Sequence, residues 1–204
     1  MNISAERFDK AVDAAFEPLR GRPQVDRVAA AVSNLADYGL IWVAKAAWKG
    51  RHSGPPRRRA IVALGAAGFS SMLVSRAVKD SVVRERPEEH LEALVRTPSS
   101  SSFPSGHTLA AFCTAVVLSE TERETRASVG FAVAVAASRV HLRAHHPSDV
   151  VGGAVIGSAL GLLLRPLVRM VTPGNRKSGG GGRKASKGSS RQGMGQRDYL
   201  LQRL

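Results

Sequence analysis

The chain has 204 residues, 43% of them hydrophobic and 23% charged, with a formal net charge of +14 at pH 7. That length suits one domain plus a tail, and the single cysteine, Cys113, excludes a disulfide within the chain. The excess of lysine and arginine lies in short loops and the C-terminal tail rather than along an amphipathic helix with interleaved aromatics, which argues against a nucleic-acid-binding protein.

Residues 1–24 carry Glu6, Arg7, Asp9, Lys10, Asp13 and Glu17, so they lack the apolar core of a secretory signal. Phe8, Val12, Ala15, Phe16 and Leu19 recur near helical spacing and predict an amphipathic helix. Its composition suits either a membrane interface or a plain protein surface. Pro18 and the segment Arg20-Gly21-Arg22-Pro23 close it.

Residues 25–171 read as the main domain, built from five apolar runs. The first, 25–48, is interrupted by Asp37 and Lys45 and ends with Trp48 beside Lys49, an aromatic and basic pair suited to a membrane interface. The loop 49–59 is short and strongly basic, which marks it as cytoplasmic. The second run, 60–78, is long enough to cross the hydrocarbon core at about 1.5 Å per residue. Pro87 is expected to break it and open a polar loop, 88–102, able either to cover the site or to admit substrate, whose Pro-Ser-Ser-Ser-Ser end at 98–102 reads as a mobile turn. The third run, 103–119, follows Ser105, which reads as an N-cap with His107 in the first helical turn. A charged linker, 120–126, leads to a fourth run, 127–140, and then to a fifth, 150–171.

This pattern predicts an all-α fold: a polytopic membrane helical bundle of about five transmembrane helices preceded by the amphipathic helix. Counting crossings places loops 49–59 and 120–126 and the tail in the cytoplasm, and the polar clusters between the runs together on the opposite, extracytoplasmic face. Gly153, Gly157 and Gly161, four residues apart, read as a close helix-packing face. Residues 172–204, rich in Gly, Ser, Lys and Arg, read as a disordered basic tail attracted to anionic lipid.

Three polar clusters interrupt the apolar runs: Lys79 to Pro87, Pro104-Ser105-Gly106-His107, and Ser138-Arg139 followed by His145 and Asp149. Lys79, Arg86 and Arg139 are cations suited to phosphate oxygens. Ser105 and Gly106 enter a helix, where backbone N–H groups can face an anion. Two histidines and a carboxylate complete what phosphoryl transfer through a covalent intermediate needs. Lys79 or Arg86 alone reads better as the basic flank of a membrane helix. His141, His145, His146 and Asp149 also raise a metal site, but no cysteine or second carboxylate cluster supports it.

Taken together, the clusters resemble the three motifs of the superfamily of type 2 phosphatidic acid phosphatases, bacterial class A acid phosphatases and vanadium haloperoxidases, in order and at the family spacing. The resemblance covers roughly residues 25–171. It implies that His145 is the nucleophile forming a phosphohistidine, that Asp149 orients it, and that His107 protonates the leaving oxygen. It further implies that Lys79, Arg86, Ser105, Gly106 and Arg139 hold the phosphoryl group, with no metal and no cofactor. Spacing from Arg139 selects His145 over His146, which leaves His141 and His146 as bystanders.

The expected protein is therefore a multi-pass membrane phosphatase acting on a lipid phosphate partner. The short form resembles bacterial undecaprenyl diphosphate phosphatases, but departs from some of them in keeping Lys79 and His107. A polyprenyl phosphate or diphosphate is the expected substrate; phosphatidic acid, phosphatidylglycerol phosphate and a polyprenyl-phosphoribose phosphate stay open, as does oligomeric state. A vanadium haloperoxidase is disfavoured by the short apolar chain, a soluble acid phosphatase by the missing signal peptide, and a non-catalytic lipid-binding protein by the intact set of catalytic residue types.

Overall fold

The computed structural model describes residues 3–36, 39–51, 55–87 and 100–173, all within one compact unit. The sequence expectations for most of the 88–102 loop and for the tail beyond residue 173 lie outside the described residues.

The described residues form seven α-helices and no strand: α1 Ile3–Phe16, α2 Pro23–Ala36, α3 Leu40–Lys49, α4 Pro55–Ser81, α5 Gly106–Leu118, α6 Glu122–His141 and α7 Pro147–Val171. A 3₁₀ turn, Glu17–Leu19, follows α1, and Pro23 starts α2 at the position where its missing N–H costs nothing. The run 25–48, expected as one segment, is two helices. Gly39 separates them with φ 65°, a left-handed conformation that a helix interior cannot hold. The supposed linker 120–126 is also largely helical. Thr121 caps α6 by accepting the Glu124 amide at 3.2 Å, and this cap signal sits inside a charged stretch that reads as a loop. Helix α4 ends at Ser81, before Pro87 rather than at it.

Helix α5 is the centre of the bundle. It packs against α4, α6 and α7, and Leu109, Cys113 and Ala115 are fully buried. Its thirteen residues span about 20 Å at 1.5 Å per residue, short of the roughly 30 Å of a hydrocarbon core. The surrounding helices approach it through small side chains. Ala60, Ala63, Ala67, Ser71 and Ser75 form the inner face of α4. On α7, Gly153, Gly157 and Gly161 meet α5 in register: a Cβ on Gly153 would lie 2.7 Å from the Ser105 carbonyl oxygen, one on Gly157 would collide with that of Leu109, and one on Gly161 would lie 2.9 Å from that of Cys113. The four-residue repeat is thus a ladder on which two backbones touch.

Among the described residues, two helices, Pro56–Ser81 and Pro147–Val171, have the length and apolarity of a membrane span, against five expected. Only 22% of each apolar window is buried. Ile61, Phe69 and Leu73 on α4 and Leu162, Leu163, Leu167 and Met170 on α7 point outward, as side chains do when the solvent is lipid. At one end of the bundle, Lys49 pairs with Glu124 at 2.8 Å, and Arg59 donates to the Thr172 carbonyl at 2.9 Å. The polar clusters converge at the other end.

Candidate active site

Helix direction alone collects the clusters. Lys79 lies in the last turn of α4, His107 in the first turn of α5, Arg139 in the last turn of α6 and Asp149 in the first turn of α7. Two extended segments stitch this end together. The Ser102 amide donates to the Arg84 carbonyl at 2.9 Å, the Arg84 amide donates to Ser101 Oγ at 3.2 Å, and Ser102 Oγ donates to the Glu85 carbonyl at 3.0 Å. Residues 100–102, expected to be a mobile turn, are therefore held in place, because their hydroxyls satisfy the backbone of 82–86.

His145 is 3% exposed. Its Nδ1 lies 2.8 Å from the Ser102 carbonyl oxygen. A carbonyl only accepts, so Nδ1 carries the hydrogen and Nε2 carries a lone pair. Arg86 Nη1 approaches Nε2 at 3.4 Å, which a donor does only toward an unprotonated nitrogen. Asp149, fully buried, has Oδ2 3.7 Å from Nδ1. The orienting bond that the resemblance assigns to Asp149 is thus made by the Ser102 carbonyl, with the carboxylate behind it as a charge. Asp149 Oδ2 also accepts the His146 amide at 2.9 Å, which caps α7.

Burial pushes the His145 imidazole down from 6.5 to about 4; Arg139 and Arg86 add to the effect and Asp149 opposes it. The ring is therefore neutral across neutral and mildly acidic pH, with the Nε2 lone pair free of a proton. NMR of histidine-labelled protein in detergent should show this ring, assigned by its loss in His145→Ala, staying neutral down to about pH 4; a transition at or above 6.5 would contradict the burial argument. Because the unfolded chain takes up this proton near 6.5 and the folded site only near 4, the stability it contributes is present above 6.5 and is lost as pH falls through that window.

Lys79, Arg86, Gly106, His107, Arg139 and His145 line one end of a cleft of about 870 Å³. Lys79 Nζ donates to the Ser101 carbonyl, and Arg86 Nη1 to the Ala144 carbonyl at 2.8 Å. Arg139, fully buried, donates to Ser33 Oγ at 2.6 Å. The other end of the cleft is apolar, walled by Trp42, Val43, Leu64, Met72 and Ala111. Ser105 departs from expectation. It is fully buried and outside the cleft lining; its N–H donates to the Asp149 carbonyl at 3.1 Å, and its Oγ accepts from Thr108 Oγ1 at 3.0 Å. It fastens α5 to α7 instead of facing an anion. Gly106 does line the cleft, where a Cβ would press on Ser75 Oγ at 3.2 Å.

His141 and His146 stand aside. His141 pairs with Asp26 of α2 at 2.8 Å, and His146 Nε2 lies 3.2 Å from the Glu85 carbonyl. Sequence reasoning missed Ser102, Ser33, Arg84 and Asp9. Arg84 Nη1 bonds Asp149 Oδ1, and its Nη2 donates to Asp9 Oδ2 at 2.6 Å. Asp9, in α1, also accepts the Ser148 amide at 2.7 Å and the Ser148 hydroxyl at 2.8 Å. The sequence held one signal for Arg84, a second arginine two positions before Arg86. It held none for Asp9, which resembles the other charges of an amphipathic face.

Comparison with known proteins identifies the family. The family model for the PAP2 superfamily matches residues 60–173. A decaprenylphosphoryl-5-phosphoribose phosphatase of Mycolicibacterium smegmatis is 38% identical over 151 residues, covering 73% of this chain and 83% of that protein. A protein of the same name from Mycobacterium tuberculosis is 30% identical over 164 residues, covering 78% and 90%. A crystal structure of a transmembrane PAP2-type phosphatidylglycerolphosphate phosphatase from Bacillus subtilis superposes with TM-score 0.67 at 23% identity, covering 84% of this chain and 90% of that one, and so shares its fold. The chain therefore belongs to the PAP2 superfamily and is a phosphatase of lipid phosphates.

Proposed function

We propose that this protein removes the terminal phosphate of a polyprenyl-linked phosphate, with a polyprenyl-phosphoribose phosphate as the favoured substrate, by way of a phosphohistidine at His145 and without a metal. The observation that carries the reading is the His145 Nε2 lone pair at the cationic end of a cleft whose other end is apolar. A phosphoryl group fits among Lys79, Arg86 and Arg139, and an isoprenoid chain fits along Trp42 and Leu64. The names of the mycobacterial relatives support the phosphoribose headgroup.

In this mechanism Nε2 attacks phosphorus, the bond from phosphorus to the leaving oxygen breaks, and His107 gives that oxygen its proton. Asp149 balances the positive charge that arises on the ring. Water, giving a proton to His107, then attacks phosphorus; the P–N bond breaks and its electron pair returns to Nε2. The cations stabilise charge on the equatorial oxygens throughout, so no step of this mechanism calls on a metal.

We also assign five membrane crossings, with α2 and α3 together contributing one and the short α5 crossing where α4, α6 and α7 rather than lipid surround it, and an extracytoplasmic site. The basic Lys49 and Arg59 at the bundle end opposite the clusters support that orientation.

The test is phosphate release by purified protein in detergent and EDTA, over a panel of polyprenyl-phosphoribose phosphate, polyprenyl phosphates and diphosphates, phosphatidic acid and phosphatidylglycerol phosphate. Release from the isoprenoid substrates, unchanged by EDTA, is expected. Complete loss in EDTA would overturn the metal-free mechanism, and release confined to the glycerolipids would overturn the substrate class.

A further inference from the structure

We infer that Asp9, on the N-terminal helix, is a positioning residue for catalysis: through Arg84 it sets how much negative charge Asp149 presents to His145. The inference rests on His145 acting as the nucleophile.

Asp149 is a fully buried carboxylate, and a buried charge needs a partner. Its partner is Arg84, whose two amino groups are divided: Nη1 serves Asp149 Oδ1 and Ser148 Oγ, the latter at 2.8 Å, while Nη2 serves Asp9 Oδ2 at 2.6 Å. Asp9 is itself 6% exposed, and Arg84 is largely buried between the two carboxylates. The arginine is thus shared, and the Asp9–Arg84–Asp149 cluster keeps one net negative charge. That surplus faces His145, whose Nδ1 lies 3.7 Å from Asp149 Oδ2. When Nε2 bonds to phosphorus the ring becomes positive, and a carboxylate not fully neutralised by arginine stabilises it. Neutralising Asp9 would give Arg84 wholly to Asp149 and weaken that support when the ring is charged, without removing any group that holds phosphate.

Helix α1 is built to deliver this residue. Arg20, just beyond it, donates to the Val140 and His141 carbonyls, each at 3.0 Å, and pairs with Asp13 at 2.5 Å. The helix end is thereby tied to the last turn of α6, which carries Arg139. Asp9 then reaches the first turn of α7 through Ser148. The amphipathic helix is part of the site's frame, whatever its outer face touches.

The test compares wild type, Asp9→Asn and Asp9→Glu in detergent, with kcat and KM for a lipid phosphate and the inhibition constant for vanadate. Asp9→Asn keeps the shape and an acceptor for the Ser148 amide but removes the charge. It should lower kcat about 10- to 100-fold, as loss of a supporting partner commonly does, with KM unchanged or lower and vanadate inhibition weakened along with kcat. Asp9→Glu keeps the charge at the cost of shape and should retain more kcat than Asp9→Asn. Wild-type kcat in Asp9→Asn, a loss confined to KM, better turnover in Asp9→Asn than in Asp9→Glu, or loss of the folded protein would each overturn the inference in favour of a merely structural contact. A wild-type protein without activity, or an active His145→Ala, would instead overturn the proposed mechanism.

Discussion

Replacing His145 by alanine should reduce phosphate release by about a thousandfold or more, the scale on which removal of a covalent nucleophile acts. The loss follows from bonding, not folding. Nε2 is the lone pair presented to the cationic end of the cleft, and Nδ1–H is committed to the Ser102 carbonyl at 2.8 Å. Neither His141 nor His146 can substitute, because the first is paired with Asp26 and the second lies against the Glu85 carbonyl. Initial rates in detergent, with melting curves to confirm folding, check it. Activity within tenfold of wild type would show that another group attacks phosphorus.

Gly157→Ala should destabilise the bundle by about 1–3 kcal/mol, the usual range for overpacking. A Cβ there runs into the Leu109 carbonyl oxygen and approaches that residue's carbonyl carbon and Cα at 3.0 Å. These are backbone atoms, so no side-chain rotation relieves the clash and α5 must move as a body. Leu109 lies just after His107, so the same displacement disturbs the cleft and activity should fall with stability. Gly130→Ala in α6 is the control: nothing lies within 4 Å of its added Cβ, and alanine favours the helix by up to about 1 kcal/mol. Thermal melting of the two variants in detergent separates crowding from helix propensity. Equal melting temperatures would contradict the backbone ladder.

Much of this could be read before any coordinates. The apolar runs announced the helices, and the glycine repeat at 153, 157 and 161 announced a close helix-packing face, whose partner the structure shows to be α5. Lys79, Arg86, His107, Arg139 and His145 do line one cleft, because alternating helix direction brings their segments to the same end. What stayed hidden has a common cause. Asp9, Ser33 and Ser102 join the site through contacts across 139, 106 and 43 residues respectively, and no local pattern marks a serine or an aspartate for such a role. The break at Gly39 was invisible because one glycine in an apolar run does not reveal its φ. Ser105 misled for a related reason. Its N-cap position is visible in sequence, but the capture of its N–H by the Asp149 carbonyl is tertiary.

The central claim is that phosphate passes through His145. The most direct measurement is rapid quenching of the purified protein with radiolabelled lipid phosphate, followed by peptide mapping. A protein-bound label that survives alkali but not acid, maps to His145, forms before steady state and is absent from His145→Ala is the predicted result. A burst of product with no labelled protein, or a label on His107, would contradict it and would point to direct attack by water or to exchanged roles for the two histidines.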